Sequence, residues 1–85
     1  MIQGPVLLKN QVAVSMADGA TGIVLNTKEE YFLNDEEKVF HVFDSLDTAR
    51  IFIENKQKEN DTLEFYIYDH NYKFLECWEA IKWKH

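Results

Sequence analysis

Cysteine, proline and glycine are scarce in this chain of 85 residues, which has one cysteine, one proline and three glycines. The single Cys77 excludes an intramolecular disulfide and provides no cysteine-based metal framework. Small secreted domains usually carry several disulfide bridges, so the composition favours a reducing compartment. So little proline and glycine leaves no room for a linker. We therefore expect one domain over residues 1–85.

Long apolar runs are also missing from the sequence. No stretch approaches the roughly 20 apolar residues that a membrane-spanning helix needs. The first residues, Met1 to Pro5, lack the basic region and the apolar run of a signal peptide. These features predict a cytoplasmic protein that does not insert into membranes.

Positive charge is in short supply. The chain has nine basic residues, of which only Arg50 is an arginine, against fifteen acidic ones, and its formal net charge is −6. Direct nucleic-acid binding requires a basic patch that neutralises phosphates. We therefore expect no direct contact with nucleic acid.

Aromatic residues are plentiful by contrast, with six Phe, four Tyr and two Trp. A domain of this size buries only about 60–65% of the surface that its unfolded chain exposes, so its core has to be efficient. Large aromatic and branched side chains provide such a core. The composition is that of a folded domain and not of a disordered chain.

The second half of the sequence has the clearest pattern. Residues 39–43 are β-branched and aromatic and predict a strand. Ser45 is the expected N-cap of a helix over about 46–59, whose apolar positions recur at helical spacing. Residues 63–68 alternate between apolar and polar, which predicts a strand, and residues 69–72 are typical of a hairpin turn. Residues 73–78 are the expected partner strand, and the tail 79–85 is either an extension of it or a helical turn.

The first half has a weaker pattern. Residues 12–16 alternate, Asp18-Gly19 is a turn signal, and an apolar run resumes over 22–26, which together predict a hairpin. A short edge strand over Val6–Leu8 precedes it in this interpretation. Residues 31–33 are expected to pair with 39–43 across an acidic loop.

These elements predict an α+β fold. We expect an antiparallel sheet of about five or six short strands with one helix packed on one face. The predicted order is β-β-(β)-β-α-β-β, in which the bracketed strand is 31–33.

All of the net negative charge lies in one stretch of the sequence. Seven acids fall between positions 29 and 47 against one base, Lys38, and the remainder of the chain is balanced. A local excess of one sign attracts a cationic partner and repels phosphate backbones. The competing interpretation is a solvated surface whose charge only maintains solubility. The acids proposed to contact a partner are Glu29, Glu30, Asp35, Glu36, Glu37, Asp44 and Asp47.

Two apolar residues join this predicted contact surface. Ile51 points away from the apolar stripe of the helix, so one helix face cannot bury both Ile51 and that stripe. Trp83 is flanked by two lysines near the end of the chain. Tryptophan is enriched at interface centres, which makes both residues candidate contacts with a partner or a second copy.

No catalytic or metal motif is recognisable in the sequence. The three histidines are far apart and have no partner at ligand spacing, and the acidic loop lacks the alternation of an EF-hand. Cys77 and His70 could approach across the hairpin, but an inert buried cysteine is the more common arrangement. We therefore predict no catalytic residue, no cofactor and no metal ion.

Three functions are compatible with this sequence. The first is a small acidic interaction module, not an enzyme, that binds and neutralises a basic protein, as immunity proteins and antitoxins do. The second is a structural homo-oligomer such as a homodimer, completed by edge strands or Trp83. The third is a small-molecule-binding domain with a pocket between sheet and helix, in which His41, Tyr66 or Tyr68 provides the polar group.

Overall fold

The strands of this protein form one antiparallel sheet with a single helix against it. A computed structural model describes residues 4–31 and 38–83, and the side chain of Trp83 lies outside the described part. Within these ranges the elements are β1 (Val12–Asp18), β2 (Val24–Leu25), β3 (Phe40–Phe43), α1 (Leu46–Glu59), β4 (Leu63–Tyr68), β5 (Phe74–Trp78) and a 3₁₀ turn (Ile81–Trp83). The predicted α+β fold is confirmed.

Strand β1 is the centre of the sheet. One of its edges pairs with β4, and β5 continues the sheet beyond β4. Its other edge is shared by two short strands, because β3 pairs with residues 12–15 and β2 with residues 16–17. Two segments far apart in sequence therefore lie end to end along one edge.

Helix α1 begins and ends as the sequence predicts. The Ser45 hydroxyl accepts a hydrogen bond from the Thr48 backbone N–H at 3.2 Å, which satisfies one of the free donors of the first turn. Asp47 lies in the first turn, and Lys56 and Lys58 lie in the last, so both ends complement the helix dipole.

The core lies between the helix and one face of the sheet. The predicted alternation of β4 is confirmed, since Leu63, Phe65 and Ile67 are buried on this face. Ala49 and Ile53 of the helix pack against them, at the helical spacing that the sequence showed. The whole buried cluster comprises Val12, Val14, Met16, Leu25, Ala49, Ile53, Leu63, Phe65 and Ile67.

Two polar contacts fix the helix on the sheet. Gln57 is buried, and its amide N–H donates to the carbonyl oxygens of Leu63 and Glu79. The Arg50 guanidinium donates to both carboxylate oxygens of Glu76 on β5. Such paired charge-assisted bonds orient the two groups, and this contact is the main cause of the lowered pKa of Glu76.

The first half of the chain differs from expectation in two places. Val6–Leu8 is not a strand: the backbone N–H of Gln11 donates to the Leu8 carbonyl, and the Gln11 side chain accepts from the Leu8 N–H, so the segment turns. Tyr31 forms a bridge with Leu25 and not with residues 39–43, and the strand that pairs with β3 is β1. Residues 32 and 33 lie outside the described ranges.

The tail after β5 forms the 3₁₀ turn, which settles the alternative left open by periodicity in favour of a helical turn. Among residues 4–31 and 38–83, no helix has both the length and the apolar character needed to cross a bilayer.

Candidate functional site

The face of β1 that points away from the helix is made of small residues. Ala13, Ser15 and Ala17 alternate with the large core residues of the same strand, and all three are buried. No helix or strand of the described chain packs over this open face. Small residues beneath larger neighbours leave a depression, so β1 forms the floor of a candidate site.

Aromatic side chains form the walls of this depression. Phe40 lies opposite Ser15 in the ladder with β3, and Tyr68 lies opposite Ala13 in the ladder with β4. The rings of Phe40 and Tyr68 meet edge-to-face with their centroids 6.0 Å apart, and Tyr72 meets Phe40 at 5.3 Å. Edge-to-face contacts of this kind are favourable and restrict the rings to defined orientations.

An unusual backbone conformation places Tyr72 in the wall. Its φ of 61° lies in the left-handed region, where a glycine or asparagine is normally found. The hairpin imposes this angle, because one carboxylate oxygen of Asp69 accepts the backbone N–H groups of Asn71 at 2.8 Å and Lys73 at 2.9 Å. These two bonds lower the pKa of Asp69, and the bond from the Lys73 N–H has the larger effect. Strained conformations of this kind concentrate at binding sites.

The N-terminal segment closes the site on the Tyr72 side. The Tyr72 hydroxyl donates to the Pro5 carbonyl oxygen, and burial raises the pKa of this phenol. Gly4 passes so close that a Cβ atom added there would overlap the hydroxyl oxygen and ring of Tyr72. Glycine at position 4 therefore permits the contact between the N-terminal segment and the hairpin.

These elements line an open cavity of about 530 Å³. Small-molecule sites in proteins measure roughly 300–1,000 Å³. The described lining residues are Gly4, Ser15, Val24, Val39, Phe40, Tyr68 and Tyr72, and none of them carries a charge at neutral pH.

Ser15 is the polar group on the cavity floor. The residue is only 7% exposed and no hydrogen bond joins its hydroxyl to another described residue, but the hydroxyl is not fully buried; among the described residues, the fully buried side-chain polar atom without a partner is His41 Nε2. The hydroxyl is therefore accessible from the cavity, where water can bond to it. The geometry thus leaves one donor and acceptor accessible from a cavity of ligand size.

The side chains predicted to provide the polar group of a pocket between sheet and helix, His41, Tyr66 and Tyr68, do not all lie together. Tyr68 lines the cavity, but on the open face and not between sheet and helix. Tyr66 shares that face beside the cavity, where its hydroxyl donates to Glu64 and this bond raises its pKa. A second depression of about 480 Å³ lies between α1 and the β5 region, and none of the three predicted groups reaches it.

His41 points to the covered face because it pairs with the core residue Val14. Its ring lies 4.7 Å from that of Phe52, and its Nε2 is buried without a partner among the described residues. Burial lowers the pKa of this imidazole, the nearby Lys56 lowers it further, and Glu29 opposes both.

Cys77 is exposed, which corrects the expectation of a buried thiol. It lies on β5, the outer strand of the sheet, on the face that the helix does not cover. Partial burial raises the pKa of the thiol, and Glu64 and Glu79 raise it further. Cys77 is therefore a protonated thiol at neutral pH, which is a poor nucleophile.

The described acids of the charged segment lie in two places. Glu29 and Glu30 follow β2, and the Glu29 carboxylate is 3.7 Å from the Lys56 ammonium. Asp44 and Asp47 lie at the start of α1. Since Lys56 is nine residues after Asp47, the two places are roughly 14 Å apart along the helix.

Few of these carboxylates are closely paired. Asp44 accepts a hydrogen bond from the neutral amide of Gln11 at 3.1 Å, and Asp47 is 3.8 Å from the Arg50 guanidinium with a side chain that is 90% exposed. Asp35, Glu36 and Glu37 lie outside the described residues. Ile51 is exposed on the outer side of α1, and the structure gives no position for the Trp83 side chain.

Sequence reasoning missed most of the lining residues. The available signal was the alternation of small and large residues in β1, in which Ala13, Ser15 and Ala17 share one face. That pattern indicates a depression, but it does not indicate which distant residues surround it.

Comparison of the chain with known protein families, with curated proteins and with solved structures found no match.

Proposed function

We propose that this chain is a non-enzymatic binding module that holds a small, largely apolar molecule in the cavity on the open face of its sheet. The observation that carries the proposal is Ser15, whose hydroxyl has no hydrogen-bond partner among the described residues and lines a cavity walled by Phe40, Tyr68 and Tyr72. A ligand with one polar atom would satisfy this hydroxyl while its apolar surface covers the rings.

Binding, and not catalysis, fits the chemistry of this site. Ser15 makes no hydrogen bond to a base within the described part of the chain, so nothing there activates its hydroxyl. Burial keeps the Tyr72 phenol protonated at neutral pH. The groups at hand orient a ligand but do not transfer its protons.

The test is a titration with Nile red, a neutral apolar dye that fluoresces when it leaves water. We expect saturable binding with one dye per chain, and we expect Ser15→Leu to abolish it by filling the cavity floor. Gly4→Val is the second variant, because a side chain there displaces Tyr72 while leaving the core untouched.

The control for these variants is Ile51→Gln, which removes an exposed apolar side chain on the far side of the helix. It should bind the dye as the natural sequence does. Equal dye binding by all four proteins, each shown to be folded by circular dichroism, would overturn the proposal.

A second candidate function is the acidic interaction module that binds and neutralises a basic protein, as immunity proteins and antitoxins do. It is supported by the net charge of −6 and by the exposed carboxylates of Glu30, Asp44 and Asp47. The opposite charges of the two proteins accelerate their association and make it sensitive to salt, whereas the negative charge of this chain would repel nucleic acid.

A capture experiment from lysate at low and high salt tests this candidate. Neutralising Glu29, Glu30, Asp44 and Asp47 as amides should release the captured basic protein, and the matched control neutralises Glu54, Glu59, Asp61 and Glu79, which are exposed elsewhere. Retention that is independent of salt and equal in both variants would remove this candidate.

Self-association is proposed on a separate observation, the exposed Phe74 and Leu75 on the outer strand β5. Exposed edge strands are templates for pairing with another chain. Sedimentation at micromolar protein concentration tests this proposal, because a monomer at that concentration excludes a stable homodimer.

A further inference from the structure

The charge of the cavity lining restricts what can bind. None of the described lining residues is ionised at neutral pH, and burial raises the pKa of Tyr72 further from that range. A charged ligand would lose its hydration without gaining a counter-ion, which is costly in a partly buried site. The site therefore favours a neutral molecule.

The shape of the walls favours a flat one. Phe40 stands at 86° to Tyr68 and at 62° to Tyr72, so the aromatic walls present both ring edges and ring faces around the floor. A planar aromatic ring can extend this edge-to-face arrangement, because aromatic pairs prefer it beyond the area they bury. A puckered saturated ring of the same size gains only the apolar burial.

The floor supplies one directional contact. A serine hydroxyl both donates and accepts, so it matches a hydroxyl or a carbonyl on the ligand equally well. Since Ser15 is the floor residue that carries a polar side-chain atom, one hydroxyl or carbonyl group on the ligand makes this contact.

We propose that the ligand of this cavity is a neutral, planar aromatic molecule with one hydroxyl or carbonyl group, bound with that group on the Ser15 hydroxyl and its ring against Phe40, Tyr68 and Tyr72. This inference rests on the proposed function of the cavity. It adds the chemical class of the ligand.

Four probes with the same fused bicyclic ring system test each part of the inference. They are 2-naphthol, 2-methylnaphthalene, 2-naphthoate and decahydro-2-naphthol, titrated at neutral pH while the backbone amide signals are followed by NMR. We expect 2-naphthol to bind most tightly. The methyl analogue lacks the polar group, the carboxylate is charged and the saturated alcohol is not planar, so each should bind at least severalfold more weakly.

A variant separates the hydrogen bond from simple burial. Ser15→Ala should weaken 2-naphthol about two- to tenfold, the range that one net hydrogen bond corresponds to, and should leave 2-methylnaphthalene unchanged. Phe40→Leu should weaken 2-naphthol more than decahydro-2-naphthol, because only the planar probe uses the ring.

The outcomes distinguish failure of this inference from failure of the proposed function. If no probe shifts the signals of residues around the cavity and Nile red does not bind, the proposed function itself is wrong. If the probes bind there equally, and Ser15→Ala weakens all or none of them, the cavity binds ligands but the inferred ligand class is wrong.

Discussion

The two faces of the sheet are built from the same strands in opposite ways. On the face that α1 covers, β1 presents Val12, Val14 and Met16, all packed into the core. On the open face the same strand presents Ala13, Ser15 and Ala17, and the large side chains stand at the rim. The covered face is filled at its centre, whereas the open face is hollow there.

This difference indicates which face serves stability and which serves function. A filled face under a helix gains dispersion and apolar burial from every atom. A hollow face with a small polar residue at its floor and a left-handed Tyr72 at its wall has features that packing does not require. Features of this kind are retained where a ligand compensates them.

The largest expected effect compares one phenylalanine from each face. Phe65→Ala should destabilise the fold by about 3–5 kcal/mol, because Phe65 is fully buried in the core. Phe74→Ala should cost less than about 1 kcal/mol, since Phe74 is 58% exposed. Urea denaturation followed by far-UV circular dichroism measures both; similar losses would contradict the division between the faces.

A pair of serines sharpens the comparison at smaller scale. Ser45→Ala should cost about 1 kcal/mol, because the helix loses the hydroxyl that accepts from the Thr48 N–H. Ser15→Ala should stay within about 0.5 kcal/mol of the natural protein, since its hydroxyl has no partner in the described structure. A large loss at Ser15 would mean that the free protein already uses this hydroxyl.

The covered face should also respond to acid. The folded state holds the pKa of His41 below its ordinary 6.5, chiefly through burial against Phe52, so the unfolded chain binds the proton more readily. The contribution of neutral His41 to the free energy of unfolding is therefore fully present above pH 6.5. It is lost as the pH drops from there towards the folded-state pKa.

Urea midpoints measured between pH 7.5 and pH 5 test this prediction. His41→Phe keeps a ring against Phe52 and cannot titrate, so its midpoint should fall less than that of the natural protein over the same interval. A parallel decline in both proteins would assign the acid sensitivity to groups other than His41. Glu76 would not be one of them, because its lowered pKa affects stability only in more acidic solution.

The smallest expected effect lies outside both faces. Ile51→Gln should change the free energy of unfolding by less than about 0.5 kcal/mol, because Ile51 is 59% exposed on the outer side of the helix. Loss of partner capture without loss of stability would assign Ile51 to an interface, as its sequence position suggested.

The helix and the second hairpin were predictable because their signals are local. Ser45 caps the helix through its own neighbours, and the alternation from Leu63 to Tyr68 needs no knowledge of the partner strand. The Asp69 hairpin was recognised for the same reason, although its left-handed position holds Tyr72 and not a glycine.

The errors fall where pairing is long-range. Val6–Leu8 has the composition of a strand but turns back on Gln11, and the partner of Tyr31 is Leu25 and not β3. Cys77 was expected inside because cysteine is commonly buried, but β5 is the outer strand of the sheet. The burial of Cys77 depends on which strand lies at the edge of the sheet, and no local sequence pattern indicates that strand.

The candidate cavity shows the same limit. Gly4, Ser15, Phe40 and Tyr72 come from four separate segments, and only the register of β1 with its neighbours brings them together. The sequence by itself determined the elements, the composition of each strand face and the excess of negative charge, since these follow from residue type and spacing. Only the tertiary structure decided which face the helix covers and which residues meet over Ser15, because long-range pairing depends on the free energy of the whole chain.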